Sequence, residues 1–400
     1  MMETSVAQSI GPSTSPRRYW PYWCIHGQLY DLRPWTESHP GGAEFLRLTL
    51  GTDCTAGFEL HHLRRGSVTT AMARYVIGPA SELPEPQFDW QGYGQLRERV
   101  LKRLQAANWR PGPTRRSVVV GILALLFCLA TPFLWQYDGA YDGLVKAVLA
   151  IAYVEAFIIF GGLGHIFLHQ NSPLVVLGDL FSLSTHEWRQ THCLEHHTYT
   201  NHPELDGNVG VFAPVIHFAP GYRARLEAWS PLLLLPLYAV SFMLLRIMRV
   251  VHMVKDPRRL GVRIPLYLIG SYGWLALWWT QGDLLTGLLL ECAVSFVFCF
   301  LTMSNHNHAD CHGVDGTKDF VAYQIETTRD FGSTNYWASL FGGYFLGTQT
   351  LHHLFPTLDP QYLPLVDQEL HAMGYQRQVS GIGSHHWHYL TFTFARPSHS

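Results

Sequence analysis

The chain has 400 residues, enough for two or three domains, with 28 Lys+Arg against 30 Asp+Glu and a formal net charge of −2. That balance argues against nucleic acid as a partner, which would call for a basic surface. Only 14% of residues are charged and 48% are hydrophobic, a composition poor in charge for a soluble protein.

The seven cysteines are scattered without a CxxC pair, and Cys128, Cys292 and Cys299 fall in apolar runs. A reducing, intracellular setting suits them better than a disulfide framework. Residues 1–18 are polar and rich in Ser and Pro, which predicts a disordered tail. They lack an apolar core, so no cleavable signal peptide is expected.

Residues 19–78 read as a compact module. Trp23–Leu32 predicts short strands broken at Gly27, and Ala43–Thr49 predicts a helix after the HPGG turn at 39–42. Gly41 and Gly42 let the backbone bend while His39 points into a pocket. Phe45, Leu46, Leu48, Phe58 and Leu60 are expected to line a flat apolar ligand. Residues 79–116 form a linker punctuated by Pro79, Pro84, Pro86, Pro111 and Pro113. Within it Tyr93–Asn108 places Leu96, Val100, Leu101 and Leu104 on one helical face, to lie on a membrane surface or to pack against a domain.

From 117 onward the chain turns apolar. Ser117–Tyr137, Ala147–Gly164, Ile264–Gly282 and Leu284–Met303 are expected to span a bilayer. Ser230–Leu245, which carries Pro231 and Pro236 and stops at Arg246, reads as an interfacial or re-entrant helix. Arg110, Arg115 and Arg116 before the first span, and Lys255, Arg258, Arg259 and Arg263 before the third, mark the cytosolic side, with Asp138 and Asp142 across the membrane. Glu155 and Glu291 should be protonated, paired or turned inward. Trp274, Trp278 and Trp279 suit membrane-facing packing more than cavity lining. Residues 367–400 read as a cytosolic tail whose His385, His386 and His388 are solvated.

The chemistry sits in three histidine groups. GHIFLHQ carries His165 and His169, HCLEHHTYTN carries His192, His196 and His197, and QTLHHLFP carries His352 and His353. Residues four apart share a helical face, so the first two groups each offer a clamp. Neutral imidazole suits iron, zinc and copper alike. Seven histidines exceed what one zinc ion needs, so two metals bound almost wholly through nitrogen fit the count better. A zinc hydrolase lacks a positioned Glu or Asp beside a three-ligand site.

These groups resemble the histidine boxes of the membrane fatty acid desaturases over about Ser117 to Val366. Gln349 at the head of the third box, followed by Leu354-Phe355-Pro356, is similar to the front-end subgroup. The second box departs from it, with three residues between His192 and His196 where two are usual. Residues from about Arg18 to Val76 resemble the cytochrome b5 haem domain, with His39 as one axial ligand, His62 as the other and His61 as its runner-up. Two axial histidines leave haem iron no open position, which suits an electron carrier. WCIHGQLYDL, GTDCTAGFELHH and the HxxxHH box are also similar to cytochrome b5-related proteins.

The resemblance implies a small α+β cytochrome b5-like domain at 19–78. An all-α integral membrane desaturase domain would follow at 117–366, with four transmembrane helices and a cytosolic histidine-box cap. It implies haem b at His39 and His62, and two non-haem irons on the seven box histidines. Asn305 and His306 (or His308) and Gln349 would add ligands, and Asn201 and Asp206 would orient imidazoles from outside. His186 and His202 are further candidates. NADH would supply electrons through cytochrome b5 reductase at the endoplasmic reticulum membrane, and the substrate would be a fatty acyl lipid or acyl-CoA. A hydroxylase on the same site, or a haem electron carrier with a silent desaturase domain, are the alternatives.

Overall fold

The computed structural model describes residues 18–394 apart from 85, 137–138, 140, 220–221, 223, 256–263, 312–317 and 344. The polar N-terminal residues 1–17, Asp138, Arg258, Arg259, Arg263 and His312 lie outside the described residues.

The N-terminal domain is a small antiparallel sheet of β1 (Trp23–Ile25), β2 (Gln28–Tyr30) and β3 (Val76–Pro79), in that order. Three short α-helices lie between β2 and β3: α1 (Ala43–Thr49), α2 (Thr55–His61) and α3 (Arg65–Met72), with 3-10 turns at Arg33–Ser38 and Ala73–Tyr75. Its core joins Trp23, Ile25, Leu32, Phe58 and Met72, with Leu46 and Trp35 packed against them. Phe45 and Leu60 are not in that core. Phe45 packs with Leu168, Val175 and Cys193, and Leu60 packs with Leu96 and Val100. Both face the rest of the chain, so they knit two domains together instead of lining a ligand pocket within one.

After β4 (Phe88–Asp89), α4 (Gln91–Ala106) buries Leu96, Val100 and Leu104 completely against Leu351, Leu354, Phe355, Val366 and Leu370. Of the two readings of this amphipathic segment, packing against a domain is the one realised. The linker is further held by β4, which pairs in parallel with β5 (Lys318–Asp319).

Then come α5 (Arg115–Leu134) and α6 (Asp142–His169), packed side by side. Thr114 caps α5 by accepting from the Ser117 amide. At 1.5 Å per residue, the 28 residues of α6 run about 42 Å, longer than the ~30 Å hydrocarbon core. The excess falls at its ends, which carry Asp142 and Lys146 on one side and His165 and His169 on the other. Short elements follow: α7 (Val176–Leu180), α8 (Thr185–Trp188), a π-helix over Arg189–His196, and α9 (His197–Tyr199). Gly164 allows α7 to reach box one, since a Cβ there would sit 2.4 Å from the Gly178 nitrogen.

Among the described residues four helices are long and apolar enough to cross a membrane: α5, α6, Glu227–Val251 and α13 (Leu284–Ser304). The third corrects the expectation. Ser230–Lys255 is one helix, α10, of 26 residues, neither re-entrant nor ended at Arg246. Pro231 falls in the first turn, where a missing N–H costs nothing. Arg246 pairs in bidentate fashion with Glu291 of α13, so the charge that seemed to close the span is neutralised inside it. Ile264–Gly282 becomes α11 (Ile264–Leu268), a π-turn and α12 (Trp274–Gln281). Trp274 and Trp278 point inward, donating to Leu180 O at 2.7 Å and to the Tyr153 hydroxyl at 3.3 Å; only Trp279, 72% exposed, faces outward as expected.

The remaining elements close over the histidines: α14 (Phe320–Glu326), α15 (Tyr336–Gly343), α16 (Gln349–Leu354), α17 (Leu363–Ala372) and α18 (Ile382–Phe394). The last corrects the solvated tail. His385 is fully buried, with rings of His308 and Phe331 each 4.7 Å away. His386 is half-buried beside Phe300, and His388 alone is exposed. His385, Tyr389 and Thr393 recur every four residues and are the three buried residues of this helix, a stripe that carries it onto α10 and α13.

Candidate metal centres

The box histidines converge into two buried groups. His165, His169, His192, His197 and His352 form one, and His196, His306 and His353 the other, with the nitrogens of each within 4.8 Å of one another. In the first, His165 Nε2 lies 3.1 Å from His169 Nε2, 2.7 Å from His192 Nε2 and 3.2 Å from His352 Nε2, and His197 Nε2 lies 3.1 Å from His192 Nε2. Five imidazoles whose ring nitrogens crowd together in a buried site, with no carboxylate among them, offer a ready set of nitrogen donors for a cation. The donor set therefore fits a metal ion, and all-nitrogen ligation suits iron, zinc or copper.

The second group shows how the imidazoles are aimed. His196 Nδ1 donates to Asp206 at 2.9 Å, His306 Nδ1 to Thr327 O at 3.1 Å and His353 Nδ1 to Gln324 Oε1 at 2.9 Å. Each bond fixes the tautomer and leaves Nε2 as the lone-pair nitrogen. Burial, and after it the neighbouring imidazoles, holds His192, His197, His352 and His353 well below the usual histidine range and lowers His306 to about 3. All five are neutral at physiological pH.

Gln349 presents its side-chain amide to His353 Nε2 at 3.2 Å, beside the second group. Asn305 donates to Leu346 O at 2.8 Å, and its Oδ1 is buried without a partner. Asn201 donates to the carbonyls of His306 and Cys311, tying box two to the end of α13. Of His306 and His308, His306 falls within the second group, while His308 donates its Nε2 proton to Ser304 O at 2.7 Å and stands outside both. His186 pairs with Glu44, and His202 accepts from the Glu204 and Leu205 amides, so neither joins them. Gln324 and Thr327 gave no sequence signal; they sit at the end of an ordinary apolar helix, and only folding shows what they touch.

The altered second box has a local solution. The His197 amide donates to His192 O, five residues back. In an α-helix positions i+3 and i+4 flank residue i; wound with i→i+5 bonds, those places fall to i+4 and i+5. The π-helix thus absorbs the extra residue and returns His196 and His197 to the places that an HxxHH box would give them.

In the N-terminal domain the rings of His39 and His62 face each other with centroids 6.1 Å apart. Two imidazoles on opposite sides of one ion, with metal–nitrogen bonds of about 2 Å, would have centroids about 6 Å apart. His39 donates Nδ1 to Gly42 O at 3.0 Å and His62 donates Nδ1 to Phe58 O at 2.9 Å, leaving both Nε2 atoms available. Burial lowers His62 to about 4. Gly41 has no alternative, because a Cβ there would lie 2.8 Å from the His39 ring. His61 turns the other way, toward His169. The residues present fit a bis-histidine haem.

These features define a membrane protein with a haem-type domain joined to a histidine-rich metal centre. A model of the fatty acid desaturase family matches residues 143–381, and one of the cytochrome b5-like heme/steroid binding domain matches residues 14–81. The chain belongs to the fatty acid desaturase family and carries a cytochrome b5-like domain in front. It is 28% identical over 371 residues to a cytochrome b5-related protein of Drosophila melanogaster, covering 86% of this chain and 80% of that one. It is 23% identical over 428 residues to acyl-lipid (8-3)-desaturase B of Dictyostelium discoideum, covering 94% and 88%. With the acyl-lipid (8-3)-desaturase of Mortierella alpina it shares 26% over 385 residues, covering 85% and 84%. No solved structure matches the chain at a significant level.

Proposed function

We propose that the protein is an O2-dependent desaturase of fatty acyl chains, lipid- or CoA-linked, with a di-iron site. The observation that carries this reading is the convergence of eight buried imidazoles in two adjoining groups. His165, His169, His192, His197 and His352 would hold one iron, and His196, His306 and His353, with Gln349 and Asn305 beside them, the other. Bound iron would supply an oxidant strong enough for unactivated C–H bonds, which side-chain acid–base chemistry cannot reach.

The chain's own residues orient and exclude. Asp206, Thr327 O and Gln324 keep Nδ1 protonated on three ligands, so each Nε2 stays basic toward its metal. A small cleft against His165 and His352 has Gly162, Phe345 and Leu358 among its walls, and the reacting carbons of a chain would have to approach the histidines there. Inside the bundle a second cavity, lined by Tyr153, Phe157, Trp274 and Trp278, has the Arg246–Glu291 pair at its edge.

His39 and His62 would bind haem b, reduced by NADH through cytochrome b5 reductase. Arg115 and Arg116 at the start of α5 support a cytosolic face for that domain and the histidines, at the endoplasmic reticulum membrane. The test compares acyl chains of total membrane lipid from cells with and without the protein. A new double bond, lost in His352→Ala, is expected. No new double bond on any chain would contradict the reading.

A further inference from the structure

His61 and His62 are adjacent in sequence but face opposite ways. The His62 ring turns to His39. The His61 ring lies against His169, with centroids 6.2 Å apart and planes 25° from parallel. His169 is the last residue of α6 and a member of the five-histidine group. His61 Nδ1 donates to Gly57 O at 3.0 Å, and its Nε2 is buried without a hydrogen-bond partner, a costly arrangement for a structural side chain.

The surrounding contacts hold this juxtaposition. Glu44 of α1 accepts from Arg189 of the π-helix at 2.6 Å and also pairs with His186. The Arg189 guanidinium lies 5.7 Å from the Phe45 ring, and that ring lies 5.6 Å from His61. Gly57, one turn before His61, permits the approach, since a Cβ there would meet Leu194 of the π-helix at 3.3 Å. The N-terminal domain is therefore docked with one histidine toward its own pocket and the next toward the box-one metal group.

We propose that His61 is the bridge for electrons passing from the haem domain to the non-haem iron centre. The inference rests on the proposed function. Electron tunnelling decays steeply across empty space and less steeply through bonded and packed atoms. The path from the His62 ring through two joined residues to the His61 ring, and across to His169, has one through-space step. One electron leaves the haem and one arrives at the iron; His61 is neither oxidised nor reduced, and no proton moves. NADH is the terminal reductant and O2 the terminal oxidant. His61 acts by position.

The experiment uses the full chain, purified in detergent and loaded with haem and iron, as wild type, His61→Leu and His61→Phe. Three quantities are read: the haem absorption spectrum, non-haem iron per chain, and the rate at which prereduced haem is reoxidised on mixing with O2 and acyl substrate. In His61→Leu the spectrum and iron should match wild type while reoxidation slows by about an order of magnitude, and His61→Phe should recover part of the rate. An unchanged rate in His61→Leu would overturn the bridge. Loss of the bis-histidine spectrum would make His61 a haem ligand, and loss of non-haem iron would make it part of the metal site; either outcome also overturns it. Wild type without non-haem iron would instead overturn the proposed function itself.

Discussion

Asp206 is fully buried and holds His196 through Nδ1, while accepting from the Asn201 and Asn208 amides. Changing an outer partner of a metal-bound histidine costs about 10–100-fold in affinity or activity. Asp206→Asn should therefore weaken non-haem iron binding by about that factor while leaving the haem spectrum unchanged, as metal titration with optical detection would read. At the end of α13, His306→Ala should lower non-haem iron content and His308→Ala should not. The box histidines were legible from sequence as three closely spaced groups, with His165/His169 and His192/His196 each four residues apart. Gln324, Thr327 and the choice of His306 were not, since they depend on contacts between segments far apart in the chain.

Among elements, the π-helix over Arg189–His196 makes a sharp prediction. Deleting Glu195 converts the box to HxxHH, which an ordinary α-helix presents with the same two faces. Non-haem iron should be retained. Inserting one alanine after Glu195 pushes His196 and His197 off their faces, and iron should be lost; iron analysis of the two variants decides. Local pattern predicted α1, α5, α6 and α13 well, α1 from the turn that precedes it and the other three from unbroken apolar length. It misplaced α10 because Arg246 looks like the end of a span until Glu291 is known to face it. It also left α18 in solvent, because the partners of its His385–Tyr389 stripe, Ser304 and Tyr238, lie on other helices.

At the scale of the molecule, a buried carboxylate locks the two domains. Glu59 of α2 is 0% exposed, pairs with Arg97 of α4 and with Arg65, and lies 2.5 Å from His26 Nε2. Removing one partner of such a pair leaves uncompensated charge and costs about 3–5 kcal/mol. Glu59→Ala should lower the thermal midpoint of the detergent-purified protein and speed proteolytic release of the N-terminal domain, with the spectrum of haem bound at His39 and His62 retained. Composition, the HPGG turn and the three boxes made both domains legible. Their docking was not, because Phe45, Leu60 and Glu59 serve the interface and carry no mark of it in sequence.

The most direct test of the account is the iron content of the purified protein, resolved into haem and non-haem iron. One haem and two non-haem irons per chain are predicted, with the non-haem iron falling in His196→Ala and the haem unaffected. Haem without non-haem iron in the wild-type protein would contradict it.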